Sequence, residues 1–334
     1  MLLQGEIDRI KLLKNILTMK WLILLSAGLM LSAMDAVAQR SDTAQVLVHY
    51  KFSHVRDTTN RANPYTENMV LVIGKHAGVY RSYDRQLSEA LDKKKMQEAV
   101  ANSAGGPVRF NRQISGSGTE YYQYPNDKKM LRKESLFGSF LVTGALPVID
   151  WQITGDTATY GGLHCQKARG HFSGRDYTAW FCPDLPLHIG PWELNGLPGV
   201  IVEAYDATTD VRFTFDGVEK AVVSAKSDDQ PAGQTPQGGM PSPLPGMDDG
   251  NNDPYIIKVP DNATKTTDKE FAKLQEAFRK DPNAFAQSMM AARAGGMAGG
   301  NGGMAGGNGP RMKIDIKAGP SPVINNPIEL PEKP

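Results

Sequence analysis

The sequence predicts a mainly β protein, a curved antiparallel sheet or open half-barrel with a few short helices and disordered insertions rich in Gly, Met and Pro. Three observations carry this expectation. Gln45–Phe52 alternates, with Val46, Val48, Tyr50 and Phe52 on one side and His49 and Lys51 on the other, the period-two pattern of a half-buried strand. Residues 149–215 hold many short apolar runs between turn residues with no helical repeat among them, as in sheets built from hairpins. Residues 227–253 are rich in Pro, Gly, Gln and Asp and offer too little apolar surface to offset chain entropy, so they read as a disordered loop.

Composition bounds the class. The 334 residues suffice for one large domain or two small ones, and 40% hydrophobic with 22% charged residues is ordinary for a soluble chain. A net charge of +1 leaves no basic footprint for nucleic acid and no polybasic anchor for a membrane surface.

The N-terminus sets the compartment. Met19-Lys20 precedes an apolar run, Trp21–Leu31, and then Ala36-Val37-Ala38 stands before Gln39. A charged start, a short apolar stretch and an A-x-A site make residues 1–38 a signal peptide, with residues 1–18 an upstream-start extension. The run falls short of the roughly 20 apolar residues a membrane span needs, so no spanning segment is expected after cleavage. Cysteine does not follow the apolar run, which leaves no lipoprotein anchor. The expected location is the periplasm or an outer-membrane-associated part of the envelope.

The elements follow in order. After Gln45–Phe52, the continuous apolar run Met69–Ile73 is a second strand, ended by Gly74-Lys75, and Val79-Tyr80 returns beside it as a hairpin. Gln86–Ala101 is rich in helix formers and reads as an exposed helix or mobile insertion. Tyr121-Tyr122, Met130-Leu131 and Phe140-Leu141-Val142 are short strand candidates between turn signals. His164–Phe172 and Tyr177–Cys182 fold back around Ser173-Gly174, which pairs Phe172 with Arg175 and, by the same register, Cys165 with Cys182. Cross-strand neighbours lie within reach of a disulfide, and an oxidising compartment favours the bridge over two buried thiols. Strands at Gly199–Ala204 and at Val211, Phe213 and Phe215 complete a β-rich domain over residues 39–226.

The C-terminal part, 254–334, holds a strand at Tyr255-Ile256-Ile257 and a helical segment over 267–293. Thr267 and Glu270 form a capping box, and Asp281-Pro282 starts a second helix. Residues 294–311 carry Gly-Gly-Met-Ala-Gly-Gly-Asn twice, a low-complexity linker, before a terminal strand at Met312–Lys317.

A longer motif string runs through the β-rich domain. Cys165-Gln166-Lys167-Ala168, Gly174-Arg175, Ala179-Trp180-Phe181, Gly190-Pro191-Trp192 and Gly196-Leu197-Pro198-Gly199-Val200-Ile201 resemble the GLPGLI family, found mainly in the envelopes of Bacteroidetes-type bacteria. Trp151 and the tail Asn326-Pro327-Ile328-Glu329-Leu330 fit the same pattern, and Val200 stands where that family has Leu. The resemblance covers about Trp151–Phe215 and implies a kind of protein rather than an activity, since the family is largely uncharacterised. The GLPG tetrapeptide reads as a turn feeding the strand after it; a partner-docking loop is the functional alternative.

Chemistry is sparsely signalled. His49, His54, His76, His164, His171 and His188 show no metal-binding spacing, and the nucleophile elbow, Walker loop and dinucleotide fingerprint are missing from the sequence. No catalytic residue and no cofactor are assigned. Met289, Met290, Met297, Met304 and Met312 cluster in or beside the glycine-rich stretch, and thioethers are soft ligands suited to Cu(I). Met as adaptable filler is the plainer reading. The expected function is a non-enzymatic envelope protein holding an apolar ligand or a protein partner. The alternatives are a periplasmic Cu(I) binder and an enzyme without a visible motif.

Overall fold

The computed structural model describes residues 41–102, 115–136, 138–185, 187–221, 253–297 and 323–332. The predicted signal peptide, the loop before Asp253, the glycine-rich repeats from residue 298 and the terminal strand at Met312–Lys317 lie outside them.

The chain is mainly β, as expected. In order it forms β1 (Asp42–Thr43), β2 (Val46–His54), β3 (Tyr65–Ile73), β4 (Gly78–Ser82), helix α1 (Tyr83–Asn102), β5 (Glu120–Tyr124), β6 (Lys129–Ser135) and β7 (Ser139–Ala145). There follow β8 (Trp151–Tyr160), β9 (Leu163–Phe172), β10 (Arg175–Cys182), β11 (Val200–Asp206), β12 (Val211–Lys220), β13 (Ile256–Ile257), β14 (Thr264–Thr266), α2 (Asp268–Lys280) and α3 (Pro282–Met297). Twelve strands make one sheet in the order β14-β7-β6-β5-β4-β3-β2-β12-β11-β10-β9-β8, and β1 pairs with β13 in a second, two-stranded sheet. Neighbours in the twelve-stranded sheet are antiparallel except β14, which lies parallel to β7.

The large sheet is open and curled. Its end strands β14 and β8 do not meet, so no barrel closes. Strands β4 and β12 are separated by β3 and β2, a span of about 14 Å in a flat sheet at ~4.8 Å per step. Yet the Tyr80 and Phe213 rings from those two strands sit 6.2 Å apart. The sheet therefore bends toward the face that carries them. On that concave face lie Tyr50 of β2, Met69 and Leu71 of β3 and Phe213 of β12, all buried in one core.

Both faces of the central strands are covered. Met69, Leu71 and Ile73 enter the concave core, while Val70 and Val72 enter a second core with Leu47, Val79, Tyr122, Leu131 and Leu141. Ile257 of β13 and Ala44 beside β1 complete that outer layer. This is why Met69–Ile73 is apolar without alternation. A third, small core sets Phe271 of α2 against Phe140 and Val142 of β7.

Local chemistry fixes the elements. Ser173 and Gly174 both take positive φ, 48° and 69°, the geometry of a tight hairpin turn between β9 and β10. The register Arg175↔Phe172 through Phe181↔Gln166 is the predicted one. It brings Cys165 and Cys182 into a disulfide with Cα atoms 4.1 Å apart. The Thr267 hydroxyl accepts from the Glu270 amide while the Glu270 carboxylate accepts from the Thr267 amide, the predicted capping box. Asp281 accepts from the Ala284 amide at 2.9 Å and caps α3.

Three differences from expectation have plain causes. Helix α1 begins at Tyr83, ahead of Gln86, because the Ser82 side chain accepts from the Arg85 amide and starts it there. Helix α3 runs to Met297, past the predicted end at residue 293. Strands β1, β8 and β14 were not expected. Edge strand β8 is mostly exposed and polar, with a register shift between Ile153 and Thr157, so it lacks the apolar period that marks an inner strand.

Candidate functional site

The motif residues meet around a loop and a strap. Residues 183–185 and 187–199 leave β10 and fold across the concave face, burying Leu185, Leu187, Ile189, Trp192, Leu194 and Leu197 in its core. Gln123 of β5 pins this loop: its side-chain amide donates to the Gly190 and Trp192 carbonyls at 2.9 and 2.8 Å. Trp151 of β8 donates from its indole to the Asn195 carbonyl at 2.7 Å, and Tyr50 donates to the Ile201 carbonyl at 2.6 Å. Gly199 has φ +150°, and a Cβ there would lie 2.5 Å from the Cys182 carbonyl oxygen, so only glycine lets the chain pass the disulfide strand.

Within the loop, the Pro191 carbonyl accepts from the Leu194 amide and the Gly196 amide donates to the His188 carbonyl. Leu197 is buried while Gly196 and Pro198 are exposed, and the Ile201 amide donates to the Ile189 carbonyl. Trp180 stands apart, half-buried beside the Tyr160 ring at 5.9 Å, with the Lys167 ammonium 5.8 Å from its ring centre.

The second element is the C-terminal strap, residues 323–332, which crosses from the end of β2 to the β9–β10 hairpin. Arg175, 4% exposed, is its hub. The guanidinium pairs with buried Asp206 at 2.6 Å and donates to the Asn326 side chain, the Pro327 carbonyl and the Ile328 carbonyl at 2.7–2.8 Å. Asp206 in turn accepts from the Val211 amide and the Thr208 hydroxyl. His54 donates to the Asn326 carbonyl at 2.8 Å, and burial pushes its imidazole down to about 4, so it is neutral. Farther on, the Leu330 amide donates to the Ser173 carbonyl, and the Glu332 carboxylate accepts from the Gly174 amide. A Cβ on Gly174 would come 2.6 Å from the Leu330 carbonyl oxygen. His171 bridges Asp176 at 2.6 Å and Glu332 at 2.8 Å, both of which raise its affinity for a proton.

Between loop and strap the concave face keeps a set of aromatic and acidic side chains. Phe52 stacks on Phe213 at 5.1 Å, Phe213 on Trp192 at 6.4 Å, and Tyr80 stands 6.5 Å from Tyr121. Tyr80 and Tyr177 are 2% and 1% exposed, yet neither hydroxyl has a hydrogen-bond partner among the described residues. Tyr121 is half-buried, and burial first, with the Glu193 and Glu134 carboxylates adding, pushes its phenol up. Glu193 is 8% exposed; burial, with Glu329 adding, lifts its carboxyl to about 7 against the pull of Arg132 at 4.0 Å. Arg132 is itself engaged by Glu134 at 3.0 Å and Asp268 at 2.5 Å.

Sequence reasoning named Arg175, the loop glycines and the strap, and it missed the tyrosines and Glu193. The one available signal was a carboxylate between Trp192 and Leu194 in an otherwise apolar motif. Of the methionines, Met289 packs beside Phe140, Val142 and Phe271, which is a core role. The side chains of Met290 and Met297, and all of Met304 and Met312, lie outside the described residues. Among the described residues no three His, Cys, Asp or Glu side chains gather as a metal site, and no helix is long and apolar enough to cross a membrane.

No protein-family model and no curated protein matches the chain. Two crystal forms of PNGF-II are similar in structure, with TM-scores of 0.42 and 0.41 and 10% and 11% identity. Each comparison covers 69% of this chain and 32% of the other, so the chain spans about a third of the length of the structures it matches.

Proposed function

We propose that this chain is an exported, non-enzymatic envelope protein of the GLPGLI type that holds an apolar-bodied ligand against its concave face. One observation carries the reading: two deeply buried phenols, Tyr80 and Tyr177, lack a hydrogen-bond partner among the described residues, and the Tyr80 ring stands 6.5 Å from half-buried Tyr121. A buried hydroxyl left unpaired costs about 1–3 kcal/mol, and phenylalanine would fill a closed core without that cost. Apolar walls with a few convergent polar groups are the make-up of small-molecule sites. The GLPGLI assignment is supported by the roles of its motif residues, since Arg175, Gly190 and Gly199 each hold the loop or strap that frames this face. Export is supported by the disulfide, which suits an oxidising space.

The neutral dye N-phenyl-1-naphthylamine tests the reading. Saturable fluorescence enhancement is expected, weakened about tenfold in Tyr121→Ala, because an aromatic wall contributes roughly 1 kcal/mol or more. Enhancement that is missing, or unchanged in the variant, would sink it.

A further inference from the structure

The C-terminal strap is held as a peptide ligand is held, not as a core segment is. Of its described side chains Asn326 alone is buried, while Ile328 packs half-buried against the concave core. The apolar Val323 and Ile324 stay 63% and 53% exposed. The grip falls on the main chain instead. The Asn325 and Asn326 amides donate to the Arg56 carbonyl at 3.1 and 3.0 Å, and the Leu330 amide donates to the Ser173 carbonyl at 2.9 Å. The Asn326 carbonyl accepts from His54, and those of Pro327 and Ile328 from Arg175, all at 2.7–2.8 Å. Asn326 is read at both ends of its side-chain amide, which accepts from Arg175 at 2.7 Å and donates to the Val55 carbonyl at 2.8 Å. Extended peptides docked in grooves divide the work in this way, with main-chain hydrogen bonds for affinity and a few pockets for specificity. The groove is also complete without its occupant. Arg175 keeps Asp206 at 2.6 Å, and Asp206 is fixed by the Thr208 hydroxyl and the Val211 amide, none of them on the strap.

We propose that the Arg175 groove is a peptide-recognition site that takes the Asn-Pro-Ile strap of a second copy of this chain, so that copies exchange their C-terminal segments. The same contacts form whichever molecule supplies the strap. Reach allows it: residues 298–322 join α3 to the strap, and at ~3.4 Å each they span up to about 85 Å. A folded chain of this length is only ~50 Å across. The second copy is the favoured occupant because its strap carries the sequence that fits. It brings a carboxamide at 326 for Arg175 and Val55, and at 327 a proline, which has no N–H to satisfy. Tethering gives a molecule's own strap a local concentration on the order of mM. Exchange therefore prevails where copies are crowded or where the strap in cis is weakened. The inference does not depend on a ligand at the concave face.

The test is fluorescence anisotropy with a fluorescein-labelled peptide of residues 321–334. Its receptor is the full chain carrying Asn326→Ala, whose own strap is weakened while its groove is unaltered. Saturable binding is expected, about tenfold or more tighter than to the wild-type chain, where the tethered strap competes. The same peptide with Asn326→Ala should bind about tenfold or more weakly than the unaltered peptide. A second arm mixes the Asn326→Ala chain with a Gly174→Ala chain, whose groove is blocked by a Cβ 2.6 Å from the Leu330 carbonyl oxygen. Sedimentation velocity should show a 1:1 complex in the mixture and in neither chain alone. A single urea transition shows that each variant is folded, and Ile328→Ala replaces Asn326→Ala if the latter lacks one. Absence of peptide binding to a folded variant, or binding indifferent to Asn326, overturns the site. Peptide binding without the mixed complex overturns exchange between copies.

Discussion

At the scale of the residue, Arg175 ties the molecule together. Its side chain and that of Asp206 are both 3% exposed, and three further acceptors on the strap share the guanidinium. Removing one member of a buried pair leaves the other charge uncompensated, at about 3–5 kcal/mol. Arg175→Met should therefore lower stability by that order in urea denaturation and expose the strap to carboxypeptidase. Lysine lacks the planar fork, so Arg175→Lys should recover only part of the loss. An unchanged midpoint for Arg175→Met would contradict the role. The motif pattern pointed to Arg175 and to the tail that holds Asn326, but not to Asp206 or to the pairing itself, because a contact across a fold leaves no local periodicity.

The strap also carries a pH dependence whose sign follows from its histidines. His54 is held down to about 4, so below its ordinary value of 6.5 the unfolded chain binds a proton that the folded one refuses. Stability is lost as pH falls from 6.5 toward 4, on the order of 3 kcal/mol at ~1.4 kcal/mol per unit. His171 is shifted upward by Asp176 and then Glu332, so its contribution is complete below 6.5 and fades as pH rises above that. The Glu332 carboxyl is shifted down by His171 and the Gly174 amide, and its contribution fades only below its ordinary 4.5. Hydrogen exchange at the Asn326 and Leu330 amides, corrected for intrinsic rates, should be slowest near neutrality and fastest at acid pH. Protection that rises steadily toward acid would contradict the assignment.

Among elements, the β9–β10 hairpin was the best read from sequence. Ser173-Gly174 set the turn, the turn set the register, and the register placed Cys165 opposite Cys182. The α2 capping box was equally open to reading, since its partners are three residues apart. Strand β8 escaped because an exposed edge carries no burial pattern, and β14 because three residues cannot show one. The disulfide closes a loop of 17 residues' separation, worth about 3 kcal/mol through the unfolded chain. Cys165→Ser with Cys182→Ser should lower stability by about that amount with little change in the fold. Thiol labelling of the denatured, unreduced wild type should find no free cysteine. Two labelled thiols would refute the bridge.

For the molecule as a whole, the mainly β class was evident from alternation and turn spacing, whereas the curl was not. Strand order depends on pairings between residues far apart in sequence, such as Phe213 with Phe52, and the approach of Tyr80 to Phe213 exists only once the sheet has bent. The concave face is a product of that bend, which is why its tyrosines passed as ordinary strand residues. Native mass spectrometry of the protein produced in its own host, purified without detergent, tests the central claim most directly. A binding face of this kind requires an extra mass, retained at fixed stoichiometry and lost in Tyr121→Ala. A bare polypeptide at every purification step, or an adduct that persists in that variant, would contradict it.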